Sequence, residues 1–163
     1  MKYNRTPHLP WSPGGTSDDK RMLDVSGLLN VPIIITEKLD GSNVCMEAKM
    51  CFARSHSDAP KHPSFDAFKS LHATVRHLIP ESIQIFGEWL YARHSIAYDA
   101  LPHYFQIFGA RHLDAMVWAS WEEVGLWAEE LGIPTVPVLF SGTASSEKEL
   151  QKITEQLAAQ TSV

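Results

Sequence analysis

Two apolar stretches separated by a short polar turn constrain the first third of this chain. Ile33-Ile34-Ile35 is a β-branched run, and from Val44 to Phe52 the even positions Val44, Met46, Ala48, Met50 and Phe52 are apolar while Asn43, Glu47 and Lys49 alternate with them. A period of two marks a half-buried strand. Between the two stretches lies Glu37-Lys38-Leu39-Asp40-Gly41-Ser42-Asn43, so strand, turn and strand are expected to form one hairpin that presents Lys38 beside a carboxylate. A lysine so placed can be built into a nucleophile. At its reference pKa of about 10.4 the amine is almost wholly protonated at neutral pH, so nearby cations, burial or a metal must favour the free base. Arg54, and a Mg²⁺ near Asp40, are the candidate sources of that help. Gly41 lets the backbone turn tightly against a phosphate or ribose, and Ser42 and Asn43 offer short polar groups at the same rim. The competing reading is an exposed turn carrying an ordinary lysine.

The rest of the chain reads as an α+β pattern. Residues 1–19 are rich in Pro, Gly and Ser and are expected to be a loop segment. Phe65, Phe68, Leu71, Val75 and Leu78 recur at helical spacing, with Ser64 as N-cap and Asp66 in the first turn. Residues 83–91 and 103–110 are expected strands. Ser120-Trp121-Glu122-Glu123 is a capping-box pattern ahead of Val124, Trp127, Ala128 and Leu131, and Gly132 and Pro134 stop that helix. Residues 135–140 form a short strand, and Ser146 caps a final helix carrying Leu150, Ile153 and Leu157.

Composition sets wider bounds. With 163 residues, 44% of them hydrophobic, the chain is expected to be one domain with a real core. No run approaches the roughly 20 apolar residues of a membrane span, and no signal-peptide stretch follows Met1, so a cytoplasmic protein without membrane contact is expected. Cys45 and Cys51, sharing parity on the expected strand, lack the spacing of a disulfide framework or zinc site and read as reduced packing residues. The pairs His56 with Asp58 and His72 with His77 have neither the ligand count nor the surroundings of a metal centre. A net charge of −5 argues against a wholly basic nucleic-acid binder. The acidic residues concentrate in the later helices, however, leaving Lys38, Lys49, Arg54, Lys61, Arg93 and Arg111, with His56, His94, His103 and His112, room to form a local basic cleft.

Lys38-Leu39-Asp40-Gly41 resembles motif I of the covalent nucleotidyltransferases, the superfamily of ATP-dependent RNA ligases, DNA ligases and mRNA capping enzymes. Phe52-Ala53-Arg54-Ser55 is similar to the arginine-bearing motif that follows it, Phe86-Gly87-Glu88-Trp89 to motif III, and Tyr104-Phe105-Gln106-Ile107-Phe108 to motif IIIa. The opening Arg5 to Pro13, with Glu37 before the lysine, resembles the bacterial and phage RNA ligase branch. The resemblance implies an antiparallel-sheet, ATP-grasp-like nucleotidyltransferase domain over residues 1–163, with residues 1–19 a loop segment within it. Motif IV, typically Glu-Gly-x-Val, and the lysines of motif V are not found, so the chain is expected to be an adenylyltransferase domain truncated before motifs IV and V, with its activity impaired.

By the same resemblance, Lys38 would attack the α-phosphorus of ATP to give lysyl-AMP. Glu88 would accept a hydrogen bond from a ribose hydroxyl and, with Asp40, help hold Mg²⁺. Arg54 suits phosphate through its planar fork of donors. Glu37 would reach the adenine edge and Asn43 the nucleotide. Phe108 would stack on adenine, Phe105 competing for that place because register decides which ring faces the pocket. Where many relatives carry aspartate after this phenylalanine, Gly109 stands here. For each residue an ordinary structural role competes with the functional one. The implied partners are RNA 5′-phosphate and 3′-hydroxyl ends, with an end-healing kinase or phosphatase preparing them. The alternatives are a DNA ligase or capping-type guanylyltransferase fragment, or a catalytically inactive nucleotide- or RNA-binding module.

Overall fold

A computed structural model describes residues 3–4, 6–13, 19–54 and 59–160. Among them are strands β1 Ile33–Thr36, β2 Ser42–Met46, β3 Cys51–Ala53, β4 Ile83–Trp89, β5 Phe105–His112, β6 Val117–Trp118 and β7 Val138–Gly142. The helices are α1 Asp66–Val75, α2 Trp121–Leu131 and α3 Glu147–Ala158. They sort into two compact units, one built from residues 3, 38–54 and 59–137, the other from residues 4, 6–13, 19–37 and 138–160.

The first unit is a five-stranded antiparallel sheet in the order β3-β2-β4-β5-β6. Its core joins Val44 and Met46 of β2, Ile83, Ile85 and Trp89 of β4, and Phe105 and Ile107 of β5 to Phe68 and Val75 of α1 and Val124 and Leu131 of α2. Alternation along each strand sends Asn43 and Cys45, Phe86 and Glu88 to the opposite face.

Both helices follow their sequence signals, with one change at α1. The Ser64 side chain is not its N-cap: Pro63–Phe65 is a 3₁₀ turn whose cap is His62, the imidazole accepting from Ser64 N. Pro63 suits that entry because its missing N–H would be unsatisfied there anyway. Asp66 stands in the first turn of α1, paired with Lys69 at 2.7 Å. At α2 the Ser120 hydroxyl accepts from Glu123 N, and Gly132 closes the helix at φ 63°, in the left-handed region.

The expected strand over residues 44–52 is instead two strands of a tight hairpin, β2 and β3, turned at Glu47–Met50 by the Glu47 N to Met50 O bond of 2.9 Å. Val44 pairs with Ala53, Cys45 with Phe52 and Met46 with Cys51. Facing residues share a side, so parity changes across the turn: Cys51 joins the core beside Met46, and Phe52 shares the face of Cys45. The two cysteines therefore lie on opposite faces of the sheet, both buried and both free thiols.

The second unit holds β1 paired antiparallel with β7, from Ile33 opposite Gly142 to Thr36 opposite Val138. Ile33–Thr36 thus does not form a hairpin with the strand after Lys38; its partner lies about a hundred residues on, and local pattern cannot report such a pairing. Val25, Ala144 and Leu150 form the core here, with Leu9, Trp11, Leu28, Leu29, Ile33 and Ile153 packed around them. Trp11 Nε1 donates to Thr154 Oγ1 at 2.9 Å, fastening the early loop segment to α3. The Ser146 hydroxyl caps α3 by accepting from Glu149 N, as its sequence predicts.

Candidate nucleotide site

The turn carrying Lys38 is fastened to β4. Gly41 N donates to Glu88 Oε1 at 3.0 Å, joining the motif I turn to a carboxylate 47 residues further on. A Cβ at position 41 would lie 2.5 Å from the Trp89 carbonyl oxygen and 2.9 Å from Leu90 Cδ2, so this approach requires glycine. Lys38 is exposed, whereas Leu39 beside it is buried among Leu90 and Val136. Apolar anchoring of Leu39 thus holds the turn while the amine stays in solvent.

Asp40 ties the same turn to the β4–β5 connection. Its Oδ2 accepts from Ser95 N at 2.8 Å and Ile96 N at 3.1 Å, and its own N–H donates to Tyr98 Oη at 2.7 Å. His94, on that connection, has Nε2 3.3 Å from Ser42 Oγ. Partial burial works against ionisation of Asp40, yet the Ser95 and Ile96 amides and His94 outweigh it, and the carboxyl titrates below its ordinary value. Glu88 goes the other way. Burial pushes its carboxyl up, opposed by the Gly41 amide, Lys38 and His94 and reinforced by Asp40. Lys38, Asp40, Glu88 and His94 therefore form one electrostatic group.

Phe108 lies at a bulge in β5, on the face that alternation from Phe105 and Ile107 gives it. Phe86 pairs with Gly109 and Gly87 with Ile107, leaving Phe108 without a cross-strand partner. Phe105 and Ile107 face the helix-covered core, and Phe105 is fully buried against Phe68 at a ring distance of 5.3 Å. Phe108 is half-buried, packed with Leu39, Leu90 and Val136, and the Tyr3 ring meets it edge-on at 5.0 Å. Phe105 is thus a core residue, and Phe108 is the ring on the side of Leu39.

Asn43 pairs with Glu88, which pairs in turn with Gln106, setting three polar side chains in a cross-strand row. The Asn43 Oδ1 and Gln106 Oε1 atoms are buried without hydrogen-bond partners. Arg54 follows β3 directly and is exposed. Ser55, His56 and Asp58 lie outside the described residues, as does Arg5. Glu37 is half-buried and belongs to the second unit. His72 donates through Nε2 to the Glu47 carbonyl at 2.7 Å, which agrees with a packing role.

Sequence reasoning placed His94 among the basic residues of the motifs and Gln106 within the motif IIIa stretch without giving either a role, and it missed Tyr3 and Tyr98, which gain a place through distant contacts.

Among the described residues, no group of three His, Cys, Asp or Glu side chains could hold a metal ion. Asp40 and Glu88 nevertheless fit Mg²⁺, which usually takes one or two carboxylates and completes its shell with water and substrate phosphates. The bonds described above engage one oxygen of each carboxylate.

The family described as RNA ligase matches residues 31–162. No curated protein matches the chain. Among solved structures, an archaeal ATP-dependent RNA ligase is similar at 16% identity and a TM-score of 0.53, over 81% of this chain and 35% of its own. A protein from Aquifex aeolicus assigned as an ATP-dependent DNA ligase is similar at 19% identity and a TM-score of 0.53, over 81% of this chain and 38% of its own. At these identities the likeness establishes the fold, and the chain spans little more than a third of either relative. With a family match over most of its length, the chain belongs to the RNA ligase family.

Proposed function

We propose that this chain carries the AMP-accepting part of an ATP-dependent RNA ligase, with Lys38 as the acceptor. The observation that supports it best is the Gly41 to Glu88 bond, because it joins the lysine-bearing turn to a partly buried carboxylate suited to a ribose hydroxyl. In this reading the Lys38 amine, having lost its proton, attacks the α-phosphorus of ATP. A P–N bond forms, and pyrophosphate leaves with the electron pair of the broken P–O bond. Glu88 and Asn43 hold the ribose, Glu37 reaches the adenine edge, Phe108 lies against the base, and Arg54 faces phosphate oxygens.

Asp40 and Glu88 would hold Mg²⁺, which screens phosphate charge when bound. In the complete ligation, the 5′-phosphate of one RNA end takes AMP from Lys38. The 3′-hydroxyl of another end then attacks that phosphorus, expelling AMP and sealing the strand. Cations and donors held around the phosphates supply most of the acceleration such transfers need.

Incubation with α-³²P-labelled ATP and Mg²⁺ followed by denaturing electrophoresis tests this reading, with Lys38→Ala alongside. A covalent label on the wild type that is lost in the variant is expected. A label that persists in Lys38→Ala would reject Lys38 as acceptor, and a folded wild type that takes no label would reject AMP transfer by this chain.

A further inference from the structure

We infer that His94 and Ser42 form a phosphate-binding pair beside Lys38. This deepens the proposed nucleotide reading and rests on it. The His94 Nε2 and Ser42 Oγ atoms are 3.3 Å apart and both groups reach solvent, so an imidazole N–H and a hydroxyl can turn together toward one phosphate oxygen.

The placement of His94 is built rather than incidental. The Asp40 carboxylate accepts from two successive backbone amides, Ser95 and Ile96, and Tyr98 Oη accepts from Asp40 N. Three bonds between the Lys38 turn and residues 95–98 therefore lock the segment that bears His94 against that turn. Ser42 is set from the other side, in register opposite Trp89 on β4. Tight anchoring of an exposed histidine brings no packing benefit to the histidine itself.

Charge supplies the second argument. Asp40 and Glu88 place two carboxylates beside Lys38, and a polyphosphate arriving there meets their repulsion. His94, on the β4–β5 connection, interacts electrostatically with both carboxylates. A donor at that point would offset part of the repulsion. The shared ligand chemistry is a phosphate group, whether of the nucleotide or of a phosphorylated RNA 5′ end.

Histidine-selective NMR of the full chain tests the inference. Inorganic pyrophosphate, ATP, adenosine, and a short RNA with or without a 5′-phosphate are titrated separately, following the His94 ring resonances assigned with His94→Gln. Shifts of the His94 ring with pyrophosphate and ATP but not adenosine are expected, along with affinity for ATP on the order of tenfold weaker in His94→Ala and unchanged affinity for adenosine. A shift with 5′-phosphorylated RNA that is absent with its 5′-hydroxyl counterpart would identify the RNA end as the phosphate source and equally support the pair.

If no phosphate compound moves the His94 ring, or if His94→Ala weakens ATP and adenosine alike, the pair is refuted while the lysine chemistry stands on its own label. Failure of the wild type to bind ATP or accept a covalent label refutes the nucleotide reading, and this inference with it.

Discussion

Glu88 is the residue on which local chemistry and stability meet. Burial raises its carboxyl above the ordinary value, so the folded protein binds a proton there more tightly than the unfolded chain does. Stability from this group is therefore greatest below the ordinary carboxylate range and falls as pH rises through the raised value. Glu88→Gln keeps an acceptor for Gly41 N and removes the charge. The variant is expected to be more stable than wild type at neutral pH and to lose that advantage in acid, a difference that urea unfolding at several pH values would resolve. Equal stability of the two proteins at every pH would contradict it. Asp40 has the opposite sign: its lowered value means stability that is present at neutral pH and lost as pH falls through it. One carboxylate is thus held at a cost while its neighbour stabilises the loop that it clamps.

Among the elements, α2 shows how directly a local signal becomes structure. The Ser120 hydroxyl accepts from Glu123 N at 3.2 Å, and Gly132 takes the left-handed conformation that ends the helix. Ser120→Ala leaves that amide without its side-chain acceptor and should destabilise the fold by about 1 kcal/mol, read from a chemical-denaturation midpoint at unchanged slope. The capping box, the apolar spacing and the glycine stop are all legible because they act within one or two turns. The entry to α1 is legible only in part. The side-chain cap falls on the preceding 3₁₀ turn, from His62, while Phe65 at the N-cap of α1 makes no side-chain bond, and a histidine cap has no sequence signature comparable to serine.

At β2 and β3 the alternating pattern continues through a turn without a break, so a hairpin reads as one strand. In a hairpin, residues before and after the turn share a face by pairing, and their spacing in sequence need not keep the period of two. The bulge at Phe108 is likewise a matter of pairing. The succession of residues at positions 105–108 does not announce which will be left without a partner.

Across the molecule, both thiols report on the unit built around the five-stranded sheet. Cys45 is fully enclosed and burial pushes its thiol well above the ordinary range, and Cys51 is pushed the same way. Neither offers a thiolate to an alkylating reagent without opening of the sheet. Native protein treated with iodoacetamide is expected to gain label on the order of 10³-fold more slowly than protein in concentrated urea, followed by intact mass. Rapid native labelling of Cys45 would mean that the sheet opens readily at β2.

Elements and motifs that depend on neighbours within about a dozen residues are written in the sequence itself: the helices, the strands β4 and β5 and the order of the four motifs. The resemblance carried by those motifs points to the same family as the match over residues 31–162. Long-range pairing supplies the rest. It joins β1 to β7, puts the two cysteines on opposite faces, sets Phe105 in the core while Phe108 bulges away from it, and brings Tyr3 onto Phe108. It also closes the distance between Gly41 and Glu88 and between Asp40 and residues 95–98. Periodicity records which face of an element is apolar, but the partner that face meets is selected by the packing of the whole chain.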